Sequence, residues 1–326
     1  MTVIDVHTHM YGTVWLDRIR RYGAPHYTFE ERHGRLVACK DGAPFMTTTP
    51  PMFDAKLRIR DMDVARVDLA VISLTSPNVF WGGEEVSAET ARLCNDEMAE
   101  VQRTYPDRIR WFASLPWQYP ARATAELERA HAKGAAGVFV SANVDEESLT
   151  APRFAPVWAA IDAKALPVLV HPTTPPGVAQ LDMARYNLVA SIGFTFDTSL
   201  AVARMIYDGF FDRYTRLKII AAHAGGALPY LIGRLDVVYE NMPGARETIA
   251  LPPSEYMSRL YYDSVTYRQS ALQMCVDVGG EDNVMYGSDY PHNIGDMRGC
   301  LGRVDSLAAS ARRKVRGLNA RRIFNL

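Results

Sequence analysis

The sequence predicts an α/β protein, a (β/α)8 or TIM barrel, on three observations. Eight short runs of β-branched and aliphatic residues alternate with longer segments of helical period, the rhythm of repeated βα units around a parallel sheet. The 326 residues contain no obvious linker, which fits one barrel domain over residues 1–326 better than two smaller domains. Ligand-type side chains also fall at the ends of several of those runs, where a barrel of this kind assembles its active site.

The expected strands are, in chain order, Val3 to Val6, Leu69 to Ser73, Ile109 to Ser114, Gly137 to Ser141, Val168 to Val170, Leu217 to Ala222, Leu260 to Ser264 and Val284 to Gly287. Between them the helical period marks Asp54 to Arg66, Ser87 to Thr104, Ala121 to Lys133, Phe154 to Ala165, Thr198 to Phe211, Pro229 to Asn241 and Gln269 to Val278. Ser87, followed by Glu89 and Thr90, is the expected N-cap of its helix, while Lys133-Gly134 and Val278-Gly279-Gly280 are the expected C-caps of theirs.

The stretch from Tyr11 to Pro51 breaks the rhythm. It is rich in aromatic, basic and turn residues, contains no clear amphipathic helix longer than three turns, and reads as a small insertion after strand 1, at about 11–51. The closing Ala309 to Leu326 is helical in period, with Arg312, Arg313, Lys314, Arg316, Arg321 and Arg322 at its polar positions. Because the rest of the chain is not basic, this reads as the solvated face of a C-terminal helix rather than a nucleic-acid patch.

Composition bounds the partners. With 48% hydrophobic and 22% charged residues and a formal net charge of -1, the chain offers no broad electrostatic case for nucleic acid or an anionic membrane. A small neutral or anionic molecule is the expected ligand. The opening MTVIDVHTHMYG lacks the basic and long apolar regions of a secretory signal, and no stretch approaches about 18 consecutive apolar residues, so a cytoplasmic protein is expected. Cys39, Cys94, Cys275 and Cys300 show no CxxC spacing and read as free thiols.

The chemistry lies at the strand ends. His7 and His9 end the first run, His171 the fifth in VLVHP, His223 the sixth in IIAAHAGG and Asp289 the eighth in VMYGSDYP. Strand side chains alternate with period two, so an HxH pair points both imidazoles the same way and both can reach one ion at the barrel mouth. A third imidazole and a carboxylate from other strands add mixed N/O ligands and leave room for water or substrate, the open arrangement that catalysis needs. Imidazole-rich ligation favours zinc, with manganese as the alternative. His26, His33 and His131 fall on insertion or helix positions and read as surface residues. His292 lies in the last βα loop, placed equally to contact substrate or only loop backbone, and Gly225-Gly226 admits either a close ligand approach or a plain tight turn.

The stretches IDVHTHM, VLVHP, AAHAGGALPYLIGR and YGSDYP resemble the amidohydrolase superfamily, and within it the branch that holds the non-oxidative decarboxylases of carboxymuconate semialdehyde and of aromatic acids. The likeness runs nearly the full length, through KDGAPF, FDAKLRIRDMD, FASLPWQ, GVFVSANVDEESL, FAPVWAAID and LNARRIF. It implies that His7, His9, His171 and Asp289 hold one divalent metal ion, that His223 is the acid/base group beside it, and that Asp289 shares in the proton chemistry. It further implies that Arg234, eleven residues after His223, binds a substrate carboxylate across a homodimer interface.

Departures from that branch bear on the substrate. Met46 and Met242 stand where the muconate decarboxylase has arginines, and Asn187 where it has a pocket tryptophan. Losing two arginines removes charge-assisted carboxylate contacts worth about 1.5 to 3 kcal/mol each, so the same dicarboxylate is not the expected substrate. Asn187 and His292 become the candidate substrate contacts beside Arg234. The activity implied is a metal-dependent carboxy-lyase that releases CO2 from a small aromatic or muconate-type acid. A hydrolase or hydratase acting on an amide, lactone or unsaturated acid would use the same ligand set, and a barrel that binds metal without turnover is the third reading.

Overall fold

The computed structural model describes residues 2–326. Seven of the expected runs form strands: β1 (Ile4–His9), β2 (Leu69–Ser73), β3 (Ile109–Ser114), β4 (Gly137–Ser141), β5 (Pro167–His171), β6 (Lys218–Ala221) and β7 (Tyr261–Tyr262). They pair in chain order as one curled, all-parallel sheet, as right-handed βα repeats require.

The eighth run, expected at Val284 to Gly287, is not a regular strand, a correction to the expectation. It joins the sheet through single bridges, Tyr262 to Val284 and Thr8 to Tyr290. The Met285 N–H donates to the Tyr262 carbonyl at 2.8 Å, and the Val6 N–H donates to the Tyr286 carbonyl at 3.0 Å, so the barrel still closes. The ladder stops because Asp289 turns into the left-handed region at φ 57° and the Ser288 and Asp289 N–H groups both converge on the His7 carbonyl.

Apolar side chains of alternate strand positions fill the barrel, among them Val71, Phe112, Phe139, Leu169, Ile220 and Met285. Each large one withdrawn from water contributes about 1.5 to 3 kcal/mol. Two residues further along four of these strands come Ser73, Ser114, Ser141 and His171, all buried, so the same inward parity that fills the core makes the mouth polar.

In β1 that parity has to change. Ile4 and Val6 belong to the interior cluster, yet His7 and His9 are the ligand-type residues. The pairing with β2 runs Ile4 to Leu69 and Asp5 to Ala70, then slips to Thr8 with Ile72 and His9 with Ser73. One extra residue in β1 is a bulge, and it re-aims the strand end so that both imidazoles face the mouth.

The surrounding helices lie close to their expected places: Ala55–Ala65, Glu84–Thr104, Pro120–Ala132, Ala155–Lys164, Phe194–Tyr207, Leu228–Asn241 and Gln269–Gly279. Asp54 caps the first, accepting from the Lys56 and Leu57 N–H groups. Ser87 is not a cap: its helix begins a turn earlier at Glu84, and its hydroxyl donates to the Gly82 carbonyl instead. Gly134 and Gly280 take positive φ where the two expected C-caps lie. The run expected at Thr198 to Phe211 is broken by Gly209 at φ 66° into Phe194–Tyr207 and Phe210–Arg213.

The insertion holds helix Thr13–Tyr22, whose Trp15 and Ile19 are buried, and an antiparallel sheet of Tyr27–Arg32, Arg35–Lys40 and Ala43–Thr47. The C-terminal helix is three short pieces, Ala309–Arg313, Lys314–Leu318 and Asn319–Phe324, and it packs Ala320, Ile323 and Phe324 onto the barrel interior cluster. One stretch, Arg185–Tyr207, is long and apolar enough by composition to cross a membrane, which the sequence did not lead us to expect. Half of its most apolar window is buried, and it contains Asp197, which is the pattern of a core helix.

Candidate metal centre

The strand ends bring His7, His9, His171, His223 and Asp289 into one cluster. His7 Nε2 and His9 Nε2 are 3.1 Å apart, and they lie 3.4 and 3.2 Å from Asp289 Oδ1. Ligands held 2.0 to 2.1 Å from a tetrahedral ion stand about 3.3 Å from each other, so these three atoms have the spacing of one coordination shell. The His171 ring centre is 5.1 Å from that of His7 and 4.8 Å from that of His9. His223 Nε2 sits 3.6 Å from Asp289 Oδ2 on the more open side.

Tautomers follow from the outer partners. His7 Nδ1 lies 2.5 Å from the Asp263 carboxylate, which cannot donate, and His171 Nδ1 lies 2.8 Å from the Pro172 carbonyl. Each Nδ1 therefore carries the hydrogen and each Nε2 turns a lone pair inward. His9 Nδ1 is 3.1 Å from the Ser73 hydroxyl. His171 Nε2 and Asp289 Oδ1 are buried without a hydrogen-bond partner among the described residues. Lone pairs and a carboxylate packed together out of water are favourable only with positive charge among them, a cation or a proton. The residues present therefore fit a divalent metal ion.

The proton affinities show the same demand. Burial forces His9 down to about 3 and holds His171 well below the ordinary imidazole range, with the neighbouring imidazoles adding to the effect on His171. For His7 burial pulls the same way, but Asp263 and then Asp289 outweigh it and raise this imidazole. Asp289 is held well below the usual carboxylate range: burial raises it, but the imidazoles of His223, His7 and His9 set against it favour its charged form and outweigh burial. Of the three imidazoles His7, His9 and His171, His7 is the best seat for a proton when no metal takes its place.

The chain carries the marks of a known family. The amidohydrolase family profile matches residues 4–326. The chain belongs to the amidohydrolase family. Among its relatives, a 2-amino-3-carboxymuconate-6-semialdehyde decarboxylase of Dictyostelium discoideum is 29% identical over 303 residues, covering 90% of this chain and 83% of that protein. The crystal structure of a 5-carboxyvanillate decarboxylase from Sphingomonas paucimobilis superposes with a TM-score of 0.87 at 27% identity, over 100% of this chain and 99% of that one. A dihydroxybenzoic acid decarboxylase from Polaromonas sp., with bound manganese and 2-nitroresorcinol in its structure, shares the fold at a TM-score of 0.81 and 22% identity, over 100% of this chain and 97% of that one.

Within this amidohydrolase barrel the other expected site residues divide. His292 joins the cluster: its ring centre is 4.9 Å from that of His9, and His9, Asp289 and His292 each offer a donor atom within 4.8 Å of the others. Arg234 and Asn187 do not join it in this chain. Arg234 is exposed on helix Leu228–Asn241 and Asn187 is exposed in the segment after β5. Met46 is buried and accepts from the Tyr11 hydroxyl at 2.9 Å, while Met242 is exposed. His26, His33 and His131 are exposed, as expected. Gly225 and Gly226 serve the tight turn: a Cβ on Gly226 would meet the Thr195 carbonyl at 2.2 Å, so the close neighbour is a helix of the chain itself.

Asp263 is the residue that sequence reasoning missed. It is fully buried, and besides His7 it accepts from the N–H groups of His223 at 2.8 Å and of Ala224 and Val265 at 2.9 Å, so one carboxylate orients a ligand-type imidazole and fixes the turn that carries His223. The signal was present, because Asp263 stands near the end of the expected run Leu260 to Ser264, as Asp289 stands after the eighth.

Proposed function

We propose that the protein is a metal-dependent non-oxidative decarboxylase of a small aromatic or muconate-type carboxylic acid. In this reading His7, His9, His171 and Asp289 hold one divalent ion, zinc by preference for imidazole, and His223 with Asp289 handles the proton. The observation that carries it is the convergence of imidazole nitrogens on Asp289: His7, His171, His223 and Asp289 each offer a donor atom within 4.8 Å of the others, His9 Nε2 lies 3.2 Å from Asp289 Oδ1, and His223 is the most exposed of the set. The decarboxylases of carboxymuconate semialdehyde and carboxyvanillate that resemble this chain over nearly all its length favour a lyase over a hydrolase.

A bound divalent ion supplies Lewis-acid polarisation of a substrate oxygen. The chain's own side chains do the rest. Asp263 and Ser73 keep the His7 and His9 rings turned inward. His223, with 11% of its side chain exposed, reaches both the mouth and Asp289 Oδ2, so it can take a proton from outside and deliver it inward. When the bond to the carboxylate breaks, its electron pair stays on the substrate carbon, CO2 leaves, and a proton from His223 or Asp289 completes that carbon. His292 lies beside His9 at the mouth, placed to donate or accept toward a polar substituent of the substrate.

A homodimer is part of the proposal. Tyr230, Arg234 and Val237 share one face of helix Leu228–Asn241, and Tyr230 and Val237 are 79% and 57% exposed. Ile192, Phe196 and Leu200 are exposed along the preceding helical stretch. Apolar area of this kind flanking an arginine that has no ion-pair partner among the described residues fits an interface that carries Arg234 to a partner's substrate.

Incubating purified, metal-analysed protein with a panel of hydroxybenzoates and carboxymuconates and following CO2 tests the activity. Turnover is expected with at least one acid, and His223→Asn should lower kcat by about a hundredfold or more at unchanged metal content, whereas His171→Ala should lose the metal. Hydrolysis of lactones or amides without CO2 release from any acid would overturn the decarboxylase reading, and loss of metal in His223→Asn would move His223 into the ligand set.

A further inference from the structure

Helix Ala55–Ala65 stands outside the donor cluster, yet one of its side chains reaches through to the strand end that carries the histidine pair. Arg58 is wholly buried. Its Nη1 donates to the Thr8 hydroxyl at 2.7 Å and its Nη2 to the His9 carbonyl. The Thr8 hydroxyl, which lies between the two histidines in sequence, donates onward to the Tyr290 carbonyl at 2.9 Å, and that carbonyl also accepts the His9 N–H at 2.7 Å. The guanidinium carbon is 5.0 Å from the centre of the Tyr290 ring. The Tyr290 hydroxyl in turn donates to Asp61, one turn along the same helix, at 2.6 Å. One helix thereby grips both stretches of chain that bear the inner donors, residues 7–9 and 289–290.

A buried guanidinium is an expensive way to hold two strands together, because an apolar side chain of similar volume is commonly as stable or more so. What the guanidinium adds is geometry: its rigid fork holds two acceptors at a set separation. We propose that Arg58 is a positioning residue for the metal centre, fixing Thr8 and His9 against Tyr290 so that the His7 and His9 imidazoles keep their spacing to Asp289. The proposal rests on the metal-centre reading above.

Cobalt(II) is the probe, since its visible absorption reports ligand geometry. Wild type, Arg58→Met, Arg58→Lys and Thr8→Val are compared for cobalt dissociation constant by chelator competition, for the visible spectrum, and for metal-free melting temperature. Arg58→Met is expected to bind cobalt about tenfold to a hundredfold more weakly with an altered spectrum, while its metal-free melting temperature stays near that of wild type. Arg58→Lys should recover part of the affinity, and Thr8→Val, which breaks the relay to Tyr290 without removing the buried charge, should weaken binding in the same direction. Wild-type affinity and spectrum in Arg58→Met would overturn the proposal, whatever the melting temperature does. Should that variant not fold, wild-type affinity and spectrum in both Arg58→Lys and Thr8→Val would overturn it. Failure of the wild type itself to take up one equivalent of cobalt removes the metal-centre reading, and so is told apart from failure at Arg58.

Discussion

Asp263→Asn preserves shape and turns one acceptor oxygen into a donor. Oδ2 of Asp263 accepts from His7 Nδ1 at 2.5 Å and from the His223 N–H at 2.8 Å, while Oδ1 accepts from the Ala224 and Val265 N–H groups at 2.9 Å. Whichever way the new amide turns, its NH2 faces two donors. Facing Ala224 and Val265, it strands two buried N–H groups at about 1 to 3 kcal/mol each. Facing His7 and His223, it strands one, because His7 can move its hydrogen from Nδ1 to Nε2 and accept instead. That cheaper arrangement removes a lone pair from the cluster. The expected result is metal affinity lower by about tenfold to a hundredfold, or about 1.4 to 2.8 kcal/mol, together with a stability loss of about 1 to 3 kcal/mol. Chelator competition followed by elemental analysis reads the first, and denaturant unfolding of metal-free protein reads the second. An Asp263→Asn variant that binds metal within about twofold of wild type would refute the tautomer argument.

Further outcomes follow from the same contacts. A Cβ at Gly287 would sit 2.9 Å from both the His7 and the Asp263 Cβ atoms, so Gly287→Ala should push the pair apart, cost about 1 to 3 kcal/mol and lower bound metal as measured by elemental analysis. Asp197 is raised to about 6 by burial, against hydrogen bonds from the Thr173 N–H and Asn143 that favour its charged form. Between about pH 4 and 6 the folded chain holds this proton and the unfolded chain does not, so stability falls as pH rises through that window, by at most about 3 kcal/mol. Asp197→Asn should flatten that fall, and denaturant midpoints at pH 4.5 and 7 would show it; equal slopes in both proteins would count against it.

The strands most legible in the sequence are those buried on both faces. The bounds expected for β2, β3 and β4 are those observed, because a run such as Leu69–Ser73 or Gly137–Ser141 has no polar position until the barrel mouth is reached. The insertion's sheet was not legible, since Tyr27–Arg32 mixes exposed Thr28, Glu30, Glu31 and Arg32 with half-buried aromatics and presents no continuous apolar run. The eighth run looked like its neighbours as far as Gly287, and only the turn at Ser288 and Asp289 denies it a regular ladder.

The amino-acid order alone determined the repeat of strands and helices and the residue types waiting at the strand ends, because burial patterning and the HxH spacing are local properties of the chain. Only the tertiary structure decided which of those ends meet and what orients them. The β1 bulge that turns His7 and His9 inward depends on register with β2. Asp263 meets His7 across 256 residues and Arg58 meets Thr8 across 50. Contacts of that kind exist only once the barrel has closed, and no periodicity within a window of sequence encodes them.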